Sequence, residues 1–371
     1  YGCHTRVKII ARIIVCLLLI SFNLMAKTAH VAYIGPAPET SSYWKNLLAP
    51  LPAVAKQLNL TISFHHPEHN NRFLIVPLAK TLINSNNKPD YIISVFRNNN
   101  AQPLLALVEK HKIPLITLST GVPRLEQKQV GTPQQNYKYW FAQILSDDFS
   151  SGQVLAQKLV AHRRNKVPNK QVKLAAIGGN NVFEASRLRD AGLKQVIKTN
   201  PDVDFLQLVH SNWDEQTTKR MTKQLIKRHE QIDAIWAANT DIALTVNKIY
   251  TEKLSHHEHP DIAAVDWTKA GFKAIQQEKM AFSLGSNHFI GVWALILFHD
   301  ITHGIPLSVS EPPTFTTPYI LADKNNIDKI EPYLEGKYWQ DVNIKIYSKV
   351  FNQQLKKYNF DFNLLLKKSS H

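Results

Sequence analysis

From Val31 onward the chain alternates between short apolar, β-branched runs and longer stretches in which apolar residues recur every three or four positions. The runs Val31 to Gly35, Thr61 to Phe64, Tyr91 to Val95 and Leu115 to Ser119 predict strands. Between them the spacing predicts helices over Tyr43 to Leu58, Phe73 to Asn84 and Gln102 to His111, with Pro89 and Pro114 marking entry to the next strands. Strand and helix in alternation imply βαβ units, hence a parallel sheet covered by helices on both faces.

A second series follows Ile144 to Gly152, ILSDDFSSG, which reads as the first passage between two lobes. It predicts helix Phe149 to His162, strand Lys173 to Gly178, helix Phe183 to Thr199, strand Phe205 to Val209 and a helix from the cap residue Asp214 to His229. The stretches IDAIWAANTDIALT (232–245) and IAAVDWTKAGFKAI (262–275) each read as a short apolar strand. Each strand ends on a polar side chain, Asn239 or Asp266, where a helix begins. Strand Ala281 to Leu284, helix Phe289 to His303 and an extended run Phe315 to Ile320 close the series. The expected fold is α/β: two doubly wound parallel-sheet lobes of about ten strands in all, joined by a three-crossing hinge near Leu145, Gly285 and Thr316. Residues 27–145 with 288–315 form the expected N-terminal lobe and 146–287 with 316–346 the C-terminal lobe. Residues 347–371 are a basic amphipathic tail, expected to pack over the hinge or one lobe rather than on a membrane.

A length of 371 residues with 44% hydrophobic content suits two domains. The formal net charge of +15 would suit a nucleic-acid partner only if the basic residues were concentrated. They are scattered, clustering only in short runs such as Arg163-Arg164 and Lys367-Lys368, so no nucleic acid is expected. Residues 1–26 read as a secretory signal: Arg6, Lys8 and Arg12 precede the apolar run Ile13 to Ile20, and Leu24-Met25-Ala26 offers a cleavage site after Ala26. The run is short for a bilayer span, which favours cleavage and export to the periplasm over an uncleaved anchor. Both cysteines, Cys3 and Cys16, lie in or before this leader. The rest of the chain therefore has no thiol for a disulfide, a nucleophile or a metal.

The sequence contains no phosphate-cradling glycine loop, nucleophile elbow, HExxH helix or zinc spacing of Cys and His, so binding leads over catalysis and no cofactor is expected. Histidines cluster at His65, His66 and His69 and at His256, His257 and His259. Adjacent loop residues do not converge easily on one ion, so both clusters are expected to be solvated loops, with no metal. Polar residues at strand ends are more telling. In an open α/β sheet the carboxyl ends of strands line the ligand crevice, which places Asn239 and Asp266 there; the competing reading is that both only cap helices. Tyr43 and Trp44 follow the first strand, and Trp236, Trp267 and Phe289 recur at later strand-to-helix junctions. An aromatic ring can cover the C–H face of a sugar while carboxylate, guanidinium and amide groups take its hydroxyls, although each ring taken singly also suits the core. Arg189, in RLRDAGL, faces either the cleft or solvent.

From about Val31 to Ile346 the chain resembles the type I periplasmic binding proteins of sugar ABC transporters, in the ribose and galactose group, and especially the periplasmic autoinducer-2 receptor branch. The pieces that carry the resemblance are Ser42-Tyr43-Trp44, Ile113 to Thr117, Ser146-Asp147-Asp148 with Gly152, and Arg189 to Leu193. They continue with Trp236 to Asn239, Val265-Asp266 with Gly271, and Ser286 to Phe289 followed by Trp293 to Leu295. The resemblance implies that Tyr43 and Trp44 stack on the ligand from the first lobe. Arg189, Asn239 and Asp266 would bind its hydroxyls from the second, and Trp236 would close a face. Ser119, Asp147 and Gly285 complete the implied set. Ser119 and Thr120 stand where an Asp and an Arg are common, and Gly285 where a Gln is common, so no hexose or pentose preference carries over. The implied protein is a monomer that closes on a small polar ligand of the sugar type and delivers it to an inner-membrane ABC permease. The alternative is a sensor docking on a membrane kinase or cyclase. A lactose-repressor-like regulator would need a helix-turn-helix where this chain has its apolar leader. An enzyme using His288 or Asp147 as base would lack a nucleophile and a cofactor loop.

Overall fold

The apolar runs of the first half become β1 (Ala29–Ile34), β2 (Leu60–His65), β3 (Tyr91–Ser94), β4 (Leu115–Ser119) and β5 (Trp140–Ser146) in the computed structural model. It describes residues 28–368 except 98, 169, 254–258 and 308–310. The leader, both cysteines and His256 to Glu258 fall outside the described residues. The helices of this half are α1 (Ser42–Leu48), α2 (Leu51–Gln57), α3 (Ile75–Ile83), α4 (Ala101–His111) and the single turn α5 (Gln127–Val130). The helix expected over 43–58 is thus two. Pro50 and Pro52 lack the N–H groups that an unbroken helix would use, and the chain restarts there.

The second half supplies α6 (Asp148–Lys166), β6 (Val172–Gly178), α7 (Glu184–Thr199), β7 (Val203–His210), α8 (Glu215–Arg228), β8 (Ala234–Ala237), α9 (Thr240–Lys253), β9 (Asp261–Val265), α10 (Lys269–Gln276) and β10 (Phe282–Gly285). Then come α11 (Ile290–Thr302), β11 (Thr314–Thr317) and β12 (Ile320–Ala322), followed by short turns and α13 (Asn363–Lys368) after α12 (Ile327–Ile330). Two six-stranded sheets result, in the orders β11-β5-β4-β3-β1-β2 and β12-β10-β9-β8-β6-β7. All neighbours run parallel except β10 and β12. The run expected as one extended segment over 315–320 is two strands on different sheets, and β5 begins ahead of the expected passage at Ile144. This is the two-lobed α/β architecture, with twelve described strands.

Central strands are buried on both faces, which is why they read as unbroken apolar runs: every residue of β8 and β9 is buried. In α11 every residue from Ile290 to Asp300 is buried, because this helix is wrapped by α1, α2 and the first sheet. Three segments pass between the lobes: β5 into α6, β10 into α11, and β11 into β12 through Pro318-Tyr319. Hydrogen bonds tie these passages together. Asp147 N–H donates to the Thr317 carbonyl (3.2 Å), and the Ser286 hydroxyl donates to the Pro318 carbonyl (2.8 Å).

The chain after β12 returns to the first lobe, where the Gln57 amide donates to the carbonyls of Trp339, Gln340 (3.2 Å) and Val342 (3.3 Å). The tail then lies across the passages. Phe360 stacks on Trp293, and Phe362 stacks on Phe289 with ring centres 4.6 Å apart and meets Trp267 at 5.7 Å. Its polar groups are spent on buried acids: Ser348 and the Tyr358 hydroxyl donate to Asp300, and Lys349 pairs with Glu311.

Candidate functional site

Close packing of α6 against α7 creates the site. A side chain at Gly152 would meet the Arg189 carbonyl at 2.0 Å, and one at Gly192 would meet the Phe149 carbonyl at 2.1 Å, so only glycine lets the two helix backbones touch. That contact sets Asp148, the first residue of α6, beside Arg189 of α7. Arg189 Nε donates to Asp148 Oδ1 (2.7 Å), Nη1 to the Ala238 carbonyl (2.7 Å) and Nη2 to the Tyr319 hydroxyl (2.8 Å). Tyr319 in turn donates to Asp148 Oδ1 (2.8 Å), closing a ring of hydrogen bonds. Arg189 is 6% and Asp148 4% exposed. Burial opposes the Arg189 charge, but the surrounding Tyr319, Asp148 and Asp266 outweigh it and hold the guanidinium cationic.

Asp266 follows β9, with its backbone in the left-handed region at φ 77°. Asn287, from the β10–α11 passage, donates to its Oδ1 (2.7 Å). Burial pushes the Asp266 carboxyl up to about 6, against the opposing pull of Arg189 and Asn287. Ser119 at the end of β4 (φ 69°) and Ser286 after β10 (φ 81°) share that uncommon conformation. Non-glycine residues rarely adopt it, and here it falls at the ends of three strands.

Across the gap, α1 of the first lobe presents Tyr43 and Trp44, edge to face with ring centres 5.0 Å apart. The Tyr43 hydroxyl is buried beside Ser119, with Asp266, Asp148 and Arg189 in its electrostatic surroundings. Burial pushes its phenol well above the ordinary value. Two contacts bridge the lobes here: the Ser42 hydroxyl donates to the Asp241 carboxylate (2.8 and 2.9 Å), and Asn46 Nδ2 to the Trp267 carbonyl (2.8 Å). A cavity of about 410 Å³ opens beside this network, with Ser119, Thr120 and Gln143 on one wall and Asp148, Glu184 and Leu188 on the other. That is within the range of small-molecule sites, roughly 300 to 1,000 Å³.

Tyr43, Ser119, Arg189 and Asp266 are therefore brought together, with Trp44 behind Tyr43. Other expected site residues fall elsewhere. Asp147 caps α6, its Oδ1 accepting from Ser150 N (3.1 Å); the adjacent Asp148 is the acid that enters the cleft. Trp236 lies in the core of the second sheet, fully buried, with its indole N–H donated to the Gly152 carbonyl (3.2 Å). It closes no face of the cleft. Gly285 lies under Trp267, where a side chain would sit 2.2 Å from the indole, so its lack of a side chain makes room for that ring. Asn239 caps α9 through Oδ1, which accepts from Ile242 N (2.9 Å). Asp148, Asn287 and Tyr319 were not singled out from sequence. The spacing of Asp147 to Ser150, which marks Asp147 as the cap and frees Asp148, was the one available signal.

Of the first histidine cluster, expected as a solvated loop, His65 instead ends β2 and is half-buried. His30 Nε2 and His65 Nε2 each lie within hydrogen-bond distance of Ser63 Oγ (2.7 and 2.8 Å), and His66 Nδ1–H donates to the Gly35 carbonyl (3.0 Å). Among the described residues no group of three or more His, Cys, Asp or Glu could hold a metal, and no helix is long and apolar enough to cross a membrane.

Residues 31–296 match the model of the periplasmic binding protein domain. The chain belongs to that family. Solved structures agree in fold. A periplasmic sugar-binding protein from Pseudomonas fluorescens superposes with a TM-score of 0.78 at 22% identity, covering 91% of this chain and 99% of that one. An ABC transporter periplasmic solute binding protein from Actinobacillus succinogenes with bound D-allose gives 0.67 at 17%, covering 81% and 99%. An ABC transporter solute binding protein from Bacillus halodurans with bound myo-inositol gives 0.66 at 17%, covering 83% and 98%. No curated protein sequence matches the chain. The match to the family model makes this chain a solute-binding protein of the two-lobed periplasmic type.

Proposed function

We propose that this binding protein is exported to the periplasm, closes as a monomer on an uncharged, polyhydroxylated ligand of the sugar class, and delivers it to an ABC permease of the inner membrane. The observation that carries the reading is the pairing of unlike walls across one cleft. The second lobe aims fixed hydrogen-bonding groups, Arg189 with Asp148 and Asp266 with Asn287, at the aromatic pair Tyr43 and Trp44 of the first. Carboxylates accept from sugar hydroxyls through charge-assisted hydrogen bonds, while aromatic rings cover the C–H face. Arg189 is already balanced by Asp148, and among the described residues lining the cavity none is a Lys or Arg that could meet a phosphate or an acid sugar. The passages from β5 to α6, β10 to α11 and β11 to β12 are the hinge in this reading, and ligands bound by structural neighbours, D-allose and myo-inositol, are of the class proposed.

The test is tryptophan fluorescence and thermal shift on the chain from Lys27 onward, titrated with D-allose, D-ribose, D-galactose, myo-inositol, autoinducer-2 and the matching sugar phosphates. A ligand at a hundred times its dissociation constant stabilises the fold by roughly 2.7 kcal/mol, which such assays resolve. Saturable binding of a neutral polyol with the phosphates silent is the expected result. Binding of the phosphates alone, or of none of the panel, overturns the sugar assignment.

A further inference from the structure

The binding reading names the groups that touch the ligand but leaves open what holds them in place. Tyr319 sits in the two-residue passage between β11 and β12, on neither sheet. Arg189 Nη2–H donates into its oxygen, so its own proton is left for Asp148 Oδ1, and the hydroxyl has one possible orientation. Asp148 Oδ1 thereby accepts two hydrogen bonds, from Tyr319 (2.8 Å) and from Arg189 Nε (2.7 Å). Among the described residues none donates to Asp148 Oδ2, and Asp148 lines the cavity. A carboxylate pinned through one oxygen presents the other in a fixed direction.

The passage that carries Tyr319 is itself fixed from both sides. Its neighbour Pro318 accepts from Ser286 of the second passage (2.8 Å), and Thr317 accepts from the Asp147 N–H of the first (3.2 Å). The guanidinium also lies 5.8 Å from the Tyr319 ring centre, so ring and hydroxyl both confine it.

We propose that Tyr319 is a positioning residue for the ligand. Without touching the ligand, it locks the Asp148–Arg189 pair so that Asp148 Oδ2 faces the cavity as an acceptor for a ligand hydroxyl. The inference rests on the sugar reading for its ligand but not for its geometry, and the test separates the two.

Tyr319→Phe keeps the ring and removes only the hydroxyl. Combined with Asp148→Asn in a double-mutant cycle, it reports coupling that a merely structural role would not show. Titrated with the neutral polyol that binds the wild-type chain, Tyr319→Phe is expected to weaken affinity about tenfold. In the Asp148→Asn background the same change is expected to cost nothing further. Equal losses in the two backgrounds, or no loss in either, would overturn the proposal.

The ligand-free arm uses nitrogen NMR of the arginine side chains, with the Arg189 signal assigned by its absence in Arg189→Lys. Wild type should show separate Arg189 Nη signals from a guanidinium held still, and Tyr319→Phe should merge them. Unmerged signals count against the lock. If no sugar binds the wild type, the sugar reading falls and this spectrum alone decides the matter for Tyr319.

Discussion

The N-terminal lobe lines the cavity with Ser119, Thr120 and Gln143, and among the described residues it sets no charged side chain on that wall; the rings of Tyr43 and Trp44 lie beside it. The C-terminal lobe lines it with Asp148 and Glu184, and the buried Arg189 and Asp266 stand close behind Asp148. The two sheets nevertheless share one strand order, β6 to β10 repeating the layout of β1 to β5. Topology therefore does not explain the difference. What separates the lobes is where the desolvation of charge is compensated. Arg189 and Asp148 are buried, and burying a charge is tolerated only with a partner in good geometry; here every partner, including Ala238 and Tyr319, comes from the second lobe or its boundary. The second lobe and its boundary thus hold these groups in place without a partner from the first lobe. The first lobe brings rings and neutral polar groups, which lose little on leaving water.

The contrast makes Arg189 the most damaging position to change. Arg189→Met leaves Asp148 buried without its cation and is expected to lower unfolding stability by about 3–5 kcal/mol, as well as to abolish ligand binding. Trp44→Ala in the opposite wall removes a half-buried ring with no charge behind it. It should weaken ligand binding while costing stability only about 1 kcal/mol. Urea denaturation of both variants checks the pair, and equal destabilisation would erase the distinction between the lobes.

A smaller effect concerns pH. Asp266 titrates near 6 in the folded protein, above the ordinary carboxyl value, because of its burial. A carboxyl whose folded value is raised adds stability that is complete below about pH 4 and is lost as pH rises through about 6. The difference in stability between wild type and Asp266→Asn should therefore shift in that window, wild type losing ground as pH climbs from 4 to 7, and stay flat from 7 to 8. Chemical denaturation across the series reads it directly; a constant difference would mean that Asp266 is already ionised at pH 4.

The alternation of strand and helix was plain in the sequence because central strands such as β8 and β9 are apolar on both faces and stand out from amphipathic helices. Breaks that depend on backbone chemistry were harder to place. Pro50 and Pro52 divide a helix whose apolar spacing runs on unbroken, and Pro318-Tyr319 divides an extended run between two sheets. At the candidate site, the pattern put Asp266 at a strand end and Tyr43 after the first strand, left Arg189 open between cleft and solvent, and offered Ser119 only through the resemblance. Trp236 and Gly285 show the limit: both stand at such junctions, yet one is core and the other makes room for Trp267. Tyr319 was invisible because its role depends on a passage meeting α6 and α7, from which it is more than a hundred residues distant in the chain.

The claim that the two walls close on one ligand is tested most directly by X-ray scattering of the chain from Lys27 onward, with and without a saturating amount of the neutral polyol that binds it. The ligand-free protein should be the more extended, and the ligand should draw the scattering curve to that calculated for the closed arrangement, in which Ser42 meets Asp241. Identical curves with and without bound ligand would contradict closure and leave the second lobe as the whole of the binding site.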